Sequence, residues 1–227
     1  MYMKKVISRL IIILFLAALT FLGYYGYRGY VMYQDTMEEK SLTVRVEELR
    51  SKDNYVKLEQ ISSIYQELVI ESEDKRFYQH GPVDYIGLAR AMVTNVVTMS
   101  FKEGGSTITQ QLAKNLCLSF EKSLDRKIAE VFIAQKLEDD YTKDEILEMY
   151  LNITYLGEGN YGIKEASNYY YNIEPIELNE EQAKVLVKTL KVLQKMPSAM
   201  VQIPQLSLMD QNMNTIQQML LQKHLLH

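Results

Sequence analysis

The stretch EGGSTITQQLAKN, residues 103–115, places two glycines directly before the start of a helix. Ser106 can cap that helix, and the glycines let the backbone approach a ligand closely. Thr107, Gln110, Gln111 and Lys114 recur at helical spacing and form a polar stripe with a cation toward one end. The free N–H groups and the dipole of the helix start favour an anion there. A structural helix with a glycine-serine cap is the alternative that this stretch alone leaves open.

The segments around this stretch carry further helix-start signals and hardly any alternating strand pattern. Asp84 precedes an apolar run at helical period, and Ser123 precedes LDRKIAEVFIAQKLEDD. Two further starts have the spacing of a capping box, Thr142 with Glu145 and Asn179 with Gln182. These signals predict a mainly α fold.

Upstream, the stretch ESEDKRFYQHGPVD, residues 71–84, is crowded with charge between two apolar segments. Glu73 and Asp74 are adjacent carboxylates, which repel each other, so one of them is suited to take up a proton. His80 adds a second titratable group shortly before the Gly81-Pro82 break. A solvated loop is the alternative interpretation of this stretch.

Downstream, the stretch SLDRKIAEVFIAQKLE, residues 123–138, places Arg126, Lys127 and Glu130 on one helix face. A surface ion pair is the simple explanation, but the order of arginine before glutamate is the less favourable one. The residues 131–134 that follow are all apolar, so the helix enters the core there. Glu130 is therefore expected at the edge of the interior, where a carboxylate needs partners.

A third stretch, KDEILEMYLNITYLGEGNYGIKEA at residues 143–166, leads from a tyrosine-containing helix into a glycine loop. Tyrosine and asparagine suit the faces and hydroxyls of sugars, so this segment could wall a saccharide groove. Packing alone would explain it equally well.

The N-terminal sequence predicts a membrane anchor. An uncharged run begins at Leu10 and would span about 27 Å as a helix, close to the thickness of a hydrocarbon core. Basic residues gather before the run and tyrosines at its end, which predicts a cytoplasmic N-terminus and an extracytoplasmic domain. A cleaved signal peptide is the alternative. The expected organisation is a tail (1–9), an anchor (10–28), a stalk (29–60), a globular domain (61–200) and a helical tail (201–227).

Composition adds few constraints on function. The formal net charge of −4 gives no indication of a nucleic-acid partner. The one cysteine, Cys117, cannot form a disulfide within the chain, and zinc sites of the usual spacing are absent from the sequence.

Taken together, these stretches resemble the peptidoglycan glycosyltransferase domain of family 51, found in monofunctional transglycosylases and class A penicillin-binding proteins. The resemblance rests on the segments EDKRFYQH, GGSTITQQLAKN, RKIAE, KDEILEMYLN…YLGEGNYGI and EEQAKVLVKTL…MPSA. It implies a lysozyme-like, mainly helical fold with two lobes, held at a bacterial cell membrane. It also implies that the chain polymerises lipid II into β-1,4 glycan strands with release of polyprenyl pyrophosphate.

The resemblance further implies roles for single residues. Glu73 matches the general base of an inverting mechanism, and Glu130 matches a second glutamate that organises the donor site. Lys114, Arg126 and Lys127 would neutralise the pyrophosphate. Positions that line the cleft in the family correspond to Asp74, Phe77, His80, Thr107, Gln111 and Asn115.

The partners implied are lipid II, the growing glycan strand, the membrane and other cell-wall synthesis proteins. No cofactor is expected except a divalent cation, Mg²⁺ or Mn²⁺. Since the sequence contains no recognisable set of metal ligands, this cation would bridge the pyrophosphate. The sequence departs from the family at Gly81-Pro82, Glu103 and Lys122. Two alternatives stay open: a lysozyme-like enzyme that cleaves glycans with Glu73 and Glu130, and an inactive member that binds lipid II or acts as a scaffold.

Overall fold

The computed structural model describes residues 2–99, 104–118 and 123–195, and this part of the chain is mainly helical. Its α-helices are α1 (Tyr2–Glu39), α2 (Leu42–Arg50), α3 (Ser63–Glu73), α4 (Tyr85–Val97), α5 (Ile108–Cys117), α6 (Leu124–Asp140), α7 (Lys143–Ile153), α8 (Ile163–Tyr171) and α9 (Glu180–Lys195). Short 3₁₀ turns occupy Leu58–Gln60, Phe77–Gln79 and Pro175–Glu177. Within the described ranges there is no strand, only one isolated bridge between Tyr155 and Tyr161. The predicted mainly α fold is confirmed.

Local capping signals account for most helix starts. The predicted caps at four helices are confirmed, each accepting a hydrogen bond from a backbone N–H of the first turn: Asp84, Ser123, Thr142 and Asn179. The cap predicted at Ser106 is wrong by one residue. Thr107 caps α5 instead, because its hydroxyl accepts from the N–H of Gln110 and the Gln110 side chain accepts from the Thr107 N–H. This reciprocal pair holds the helix start more fully than a lone serine would.

Helix α5 lies at the centre of the domain and contacts both α6 and α7. The side chains that it shares with these neighbours are completely buried: Ile108, Leu112, Ala113, Ile133, Leu137, Ile146, Leu147 and Tyr150. Because α5 is packed on two sides, the polar side chains along its remaining faces have fixed directions.

The segment predicted as a stalk, residues 29–60, is packed against the domain, so this prediction is wrong. Leu42, Val46 and Leu49 recur at helical spacing along α2 and are buried in the core, as is Val56. Helix α2 contacts α5 and α7, and these contacts give its apolar stripe a partner. The helical tail predicted for residues 201–227 lies outside the described residues.

Helix α1 is long and apolar enough to cross a membrane, with a mean hydropathy of 2.4 over its most apolar window, none of which is buried. Within the described residues it is the one helix that meets this test. Its C-terminal half continues onto the domain and packs along α6. Arg28 forms an ion pair with Asp125 at 2.8 Å, and the ring of Tyr33 stacks on Phe132. The anchor and the helix that carries Arg126, Lys127 and Glu130 are thus one packed unit.

The crossing of α1 and α6 depends on a glycine. A Cβ atom at Gly29 would lie 2.5 Å from the Ile128 side chain and 3.0 Å from the backbone oxygen of Asp125. We expect Gly29→Ala to lower the free energy of unfolding by about 1–3 kcal/mol, because a packed contact must open. Thermal unfolding of the full chain in detergent measures this.

The matched control is Gly26→Ala, one turn earlier on the same helix, where nothing lies within 4 Å of the added atom. Both variants gain the same small helix propensity, about 1 kcal/mol. Equal stability of the two variants would show that the crossing is not tight.

Candidate active site

Glu73 is the last residue of α3, and its half-buried carboxylate is held toward α5. Its Oε2 accepts a hydrogen bond of 3.2 Å from Gln111 Nε2, and its Oε1 accepts one of 3.4 Å from the Ser72 hydroxyl. The charge of the Glu73 carboxylate also influences the pKa of Tyr65, a buried residue of the same helix. Burial raises the pKa of the Tyr65 phenol, and the nearby charge of Glu73 raises it further. Glu73 is thus an oriented acceptor that keeps part of its surface exposed.

Asp74 and Glu73 contact different partners, so the two adjacent carboxylates do not share a hydrogen-bond donor. The Oδ1 atom of Asp74 lies 2.7 Å from His80 Nε2, and its Oδ2 accepts a hydrogen bond of 3.0 Å from the backbone N–H of Ile108. The Asp74 carboxylate is therefore the anion at the start of α5. The sequence predicted an external anion at this helix start, and that prediction is wrong because an aspartate 34 residues earlier in the chain occupies the position.

Two other residues expected to line the cleft lie in the interior. Phe77 is completely buried in the core, with the Lys143 ammonium 4.5 Å from its ring centre. The Thr107 hydroxyl donates a hydrogen bond of 2.8 Å to the Pro82 carbonyl and so joins the Gly81-Pro82 turn to α5. Both side chains are buried beneath the site, and neither of them lines the cleft as predicted.

One cluster of potential metal ligands occurs among the described residues: Asp74, His80 and Asp84, whose ligand atoms lie within 4.8 Å of one another. The cluster does not fit a cation, because its oxygens are already used. Asp84 forms an ion pair with Arg76 at 2.9 Å and accepts from the N–H of Ile86. Burial alone would raise the pKa of Asp84, but hydrogen bonds from the Gly87 backbone and from Arg76 outweigh it and leave the pKa lowered. A cation placed here would lie against the guanidinium group.

Glu130 lies on α6 at the edge of the interior, as the sequence predicted, and is only 2% exposed. Its Oε2 accepts a hydrogen bond of 3.1 Å from Arg126 Nη1, and its Oε1 accepts from Lys127 Nζ. Lys127 Nζ also donates to the Ser106 hydroxyl at 2.7 Å. One buried carboxylate thus holds two cations in fixed positions, a cluster with a net charge of one positive unit.

The Arg126 guanidinium carries a further donor, Nε, besides the Nη1 that binds Glu130. Within the described part of the chain, its Nε is buried and has no hydrogen-bond partner. A buried donor without a partner is destabilising, and an anionic oxygen that enters the cluster would satisfy it. The arrangement therefore suits an anion such as a phosphate.

The start of α5 connects Glu73 with the cation cluster. Gln111 contacts Glu73, and Ser106, five residues earlier, contacts Lys127. The backbones of these two contact points are at most about 18 Å apart, the reach of five extended residues. Lys114 and Asn115 follow Gln111 by three and four residues, so both lie on its side of the helix and both are half-buried.

Sequence reasoning missed two side chains of this network. Tyr150 on α7 donates a hydrogen bond of 3.0 Å to Gln111 Oε1, and Ser106 accepts from Lys127. The sequence indicated Tyr150 only as part of a segment that could wall a saccharide groove or pack in the core, and it gave no signal for a contact with Gln111. Ser106 was predicted only as a cap. The departures at Glu103 and Lys122 lie outside the described residues.

The geometry permits one kind of chemistry in particular. An oriented carboxylate can take a proton from an attacking hydroxyl, while a fixed pair of cations stabilises a departing anion. Both oxygens of Glu130 accept hydrogen bonds from cationic donors, so its carboxylate is placed to hold the two cations.

Comparison with known proteins points the same way. The family model described as "Transglycosylase" matches residues 39–221. The chain is similar to penicillin-binding protein 1F of Bacillus subtilis, with 47% identity over 131 residues, which is 58% of this chain and 18% of that protein. It is also similar to penicillin-binding protein 1A of Neisseria lactamica, with 44% identity over 145 residues, 64% of this chain and 18% of that protein. The chain thus matches less than a fifth of the length of these relatives.

Proposed function

The chain belongs to the transglycosylase family, glycosyltransferase family 51, and on that premise we propose that it is a peptidoglycan glycosyltransferase. Its substrate is lipid II, a disaccharide-peptide on a polyprenyl pyrophosphate. Its products are a β-1,4-linked glycan strand and free polyprenyl pyrophosphate.

The observation that carries this proposal is the joint placement of Glu73 and the Arg126–Lys127 pair around α5. Transfer of a sugar from a pyrophosphate needs a base for the incoming hydroxyl and positive charge for the leaving group. The two requirements are met by side chains from different helices, and the packed α5 joins them.

In the proposed reaction, Glu73 takes the proton from the 4-hydroxyl of the acceptor sugar. The oxygen attacks the anomeric carbon of the growing strand, the bond to the pyrophosphate breaks, and the carbon is inverted. The positive charges of Arg126, Lys127 and Lys114 stabilise the negative charge that develops on the leaving pyrophosphate. Glu130 fixes two of these cations before the substrate arrives, so less reorganisation is needed during the reaction.

A lipid-linked substrate also explains two apolar surfaces. Helix α1 supplies a membrane anchor, and the positive-inside rule places its N-terminus in the cytoplasm and the domain outside. Helix α4, which follows the Gly81-Pro82 turn, exposes a series of large apolar side chains: Ile86, Met92, Val93, Val96 and Val97. A helix with so many exposed apolar side chains is typical of a membrane contact, and such a contact would bring the cleft to the level of the lipid pyrophosphate.

A divalent cation, Mg²⁺ or Mn²⁺, would be held by the pyrophosphate oxygens themselves, since the candidate protein ligands among the described residues are used in other contacts. Further partners in cell-wall synthesis fit the membrane location and are part of the same proposal.

The test is incubation of the purified full chain with labelled lipid II in detergent, followed by separation of the products on a gel. A ladder of glycan polymer supports the proposal. Digestion of finished peptidoglycan without a need for lipid II would identify a glycan-cleaving enzyme. Binding of lipid II without turnover would identify a scaffold.

A further inference from the structure

A chain of two hydrogen bonds links the interior of the domain to Glu73. Tyr150 of α7, which is 0% exposed, donates to Gln111 Oε1 on α5 at 3.0 Å. Gln111 Nε2 donates in turn to Glu73 Oε2 on α3 at 3.2 Å. Three helices thus contribute one side chain each.

The direction of this chain follows from the chemistry of its two ends. A carboxylate accepts hydrogen bonds, so the glutamine must turn its NH₂ group toward Glu73 and its carbonyl oxygen toward Tyr150. The Tyr150 hydroxyl then has to donate. Loss of that hydroxyl removes a hydrogen bond that favours this orientation over the half-turned one, and the torsion itself is broad and roughly two-fold. The turned amide would present its oxygen to the Glu73 carboxylate, and the two acceptors would repel each other.

We propose that Tyr150 is a positioning residue for Glu73 that acts through the amide of Gln111. The inference rests on the proposed function, in which Glu73 is the base. Tyr150 is completely buried, so it acts on the site from the interior of the domain. It fixes the donor that keeps Glu73 Oε2 in place. Glu73 Oε1, which accepts a long bond of 3.4 Å from the Ser72 hydroxyl, then keeps a lone pair for the acceptor hydroxyl.

Packing alone does not require the hydroxyl. The Tyr150 ring is part of the hydrophobic core, and a phenylalanine would fill the same space. Tyr150→Phe therefore removes the proposed role and keeps the packing. A matched control is Tyr170→Phe, which loses a hydroxyl hydrogen bond of 3.1 Å to the Leu156 carbonyl.

The first measurement separates kcat from KM for lipid II. We expect Tyr150→Phe to lower kcat about tenfold, the value of one hydrogen bond, with KM changed less than about twofold. Tyr170→Phe is expected to keep the wild-type kcat. An unchanged kcat in Tyr150→Phe, with an active wild type, overturns the inference.

A double-mutant cycle asks whether Tyr150 acts through Gln111. Gln111→Met keeps the length of the side chain and removes the amide. If the relay exists, adding Tyr150→Phe to Gln111→Met causes no further loss of kcat. Two losses that multiply would show that Tyr150 acts by another route, and the inference would fail.

A readout independent of activity separates this inference from the proposed function. The side-chain NH₂ signals of Gln111, in the full chain labelled with ¹⁵N-glutamine and assigned with Gln111→Met, report the state of the amide. We expect Tyr150→Phe to shift or broaden them, and Tyr170→Phe to leave them unchanged. A wild type that makes no polymer refutes the proposed function, whereas unchanged Gln111 signals in Tyr150→Phe refute the relay.

Discussion

Replacing Glu73 by glutamine is expected to lower kcat for lipid II polymerisation by about 10²–10⁴-fold, the usual contribution of a general base. Glutamine has nearly the same shape and can still accept from Gln111, but it cannot take up a proton. Glu73 ends α3 and is only half-buried, so the fold should tolerate the change. Initial rates with labelled lipid II, together with thermal unfolding of both proteins, provide the measurement.

The matched control is Glu71→Gln, two residues earlier on the same helix. Glu71 is exposed and its contact is a loose ion pair with Lys75 at 3.7 Å, so its loss should change neither rate nor stability. An equal loss of activity in the two variants would mean that the charge of the segment matters and that Glu73 has no special role.

Replacing Glu130 by glutamine is the second change with a large expected effect. Its side chain is 3% exposed and accepts from Arg126 and Lys127, so the variant leaves two cations next to each other without a counter-charge. Removal of one partner from a buried ion pair lowers the free energy of unfolding by about 3 kcal/mol. We expect a loss of that order in thermal unfolding.

The effect of Glu130→Gln on kinetics should fall on kcat. The cluster gains net positive charge, so binding of the pyrophosphate is not weakened and KM should not rise. The cations are no longer fixed where the leaving group develops its charge, and kcat should fall by about 10²-fold. Glu138→Gln is the control, since Glu138 is another mostly buried carboxylate of α6 that pairs with a lysine, Lys143, outside the cluster. A higher KM with unchanged kcat in Glu130→Gln would contradict this account.

Features of the fold set by neighbouring residues could be predicted from the sequence. The caps at Asp84, Ser123 and Thr142 are correct because each depends on a side chain and an N–H two or three residues later. The burial of Glu130 was also predictable, because the apolar residues after it commit α6 to the core.

Features that depend on distant parts of the chain could not be predicted. The charged α2 segment resembles a solvated stalk until α5 and α7 provide a surface for Leu42, Val46 and Leu49. The role of Asp74 at the start of α5 and that of Tyr150 behind Gln111 each require a contact between helices far apart in sequence. Local patterns carry no information about such pairs.

The most direct test of the central claim is a count of two products from labelled lipid II, glycan polymer and free polyprenyl pyrophosphate. The wild-type full chain should form a ladder of polymer and release one polyprenyl pyrophosphate for each disaccharide added, and Glu73→Gln should form almost none of either. A wild type that forms no polymer, or a Glu73→Gln variant that forms polymer at the wild-type rate, would contradict the account.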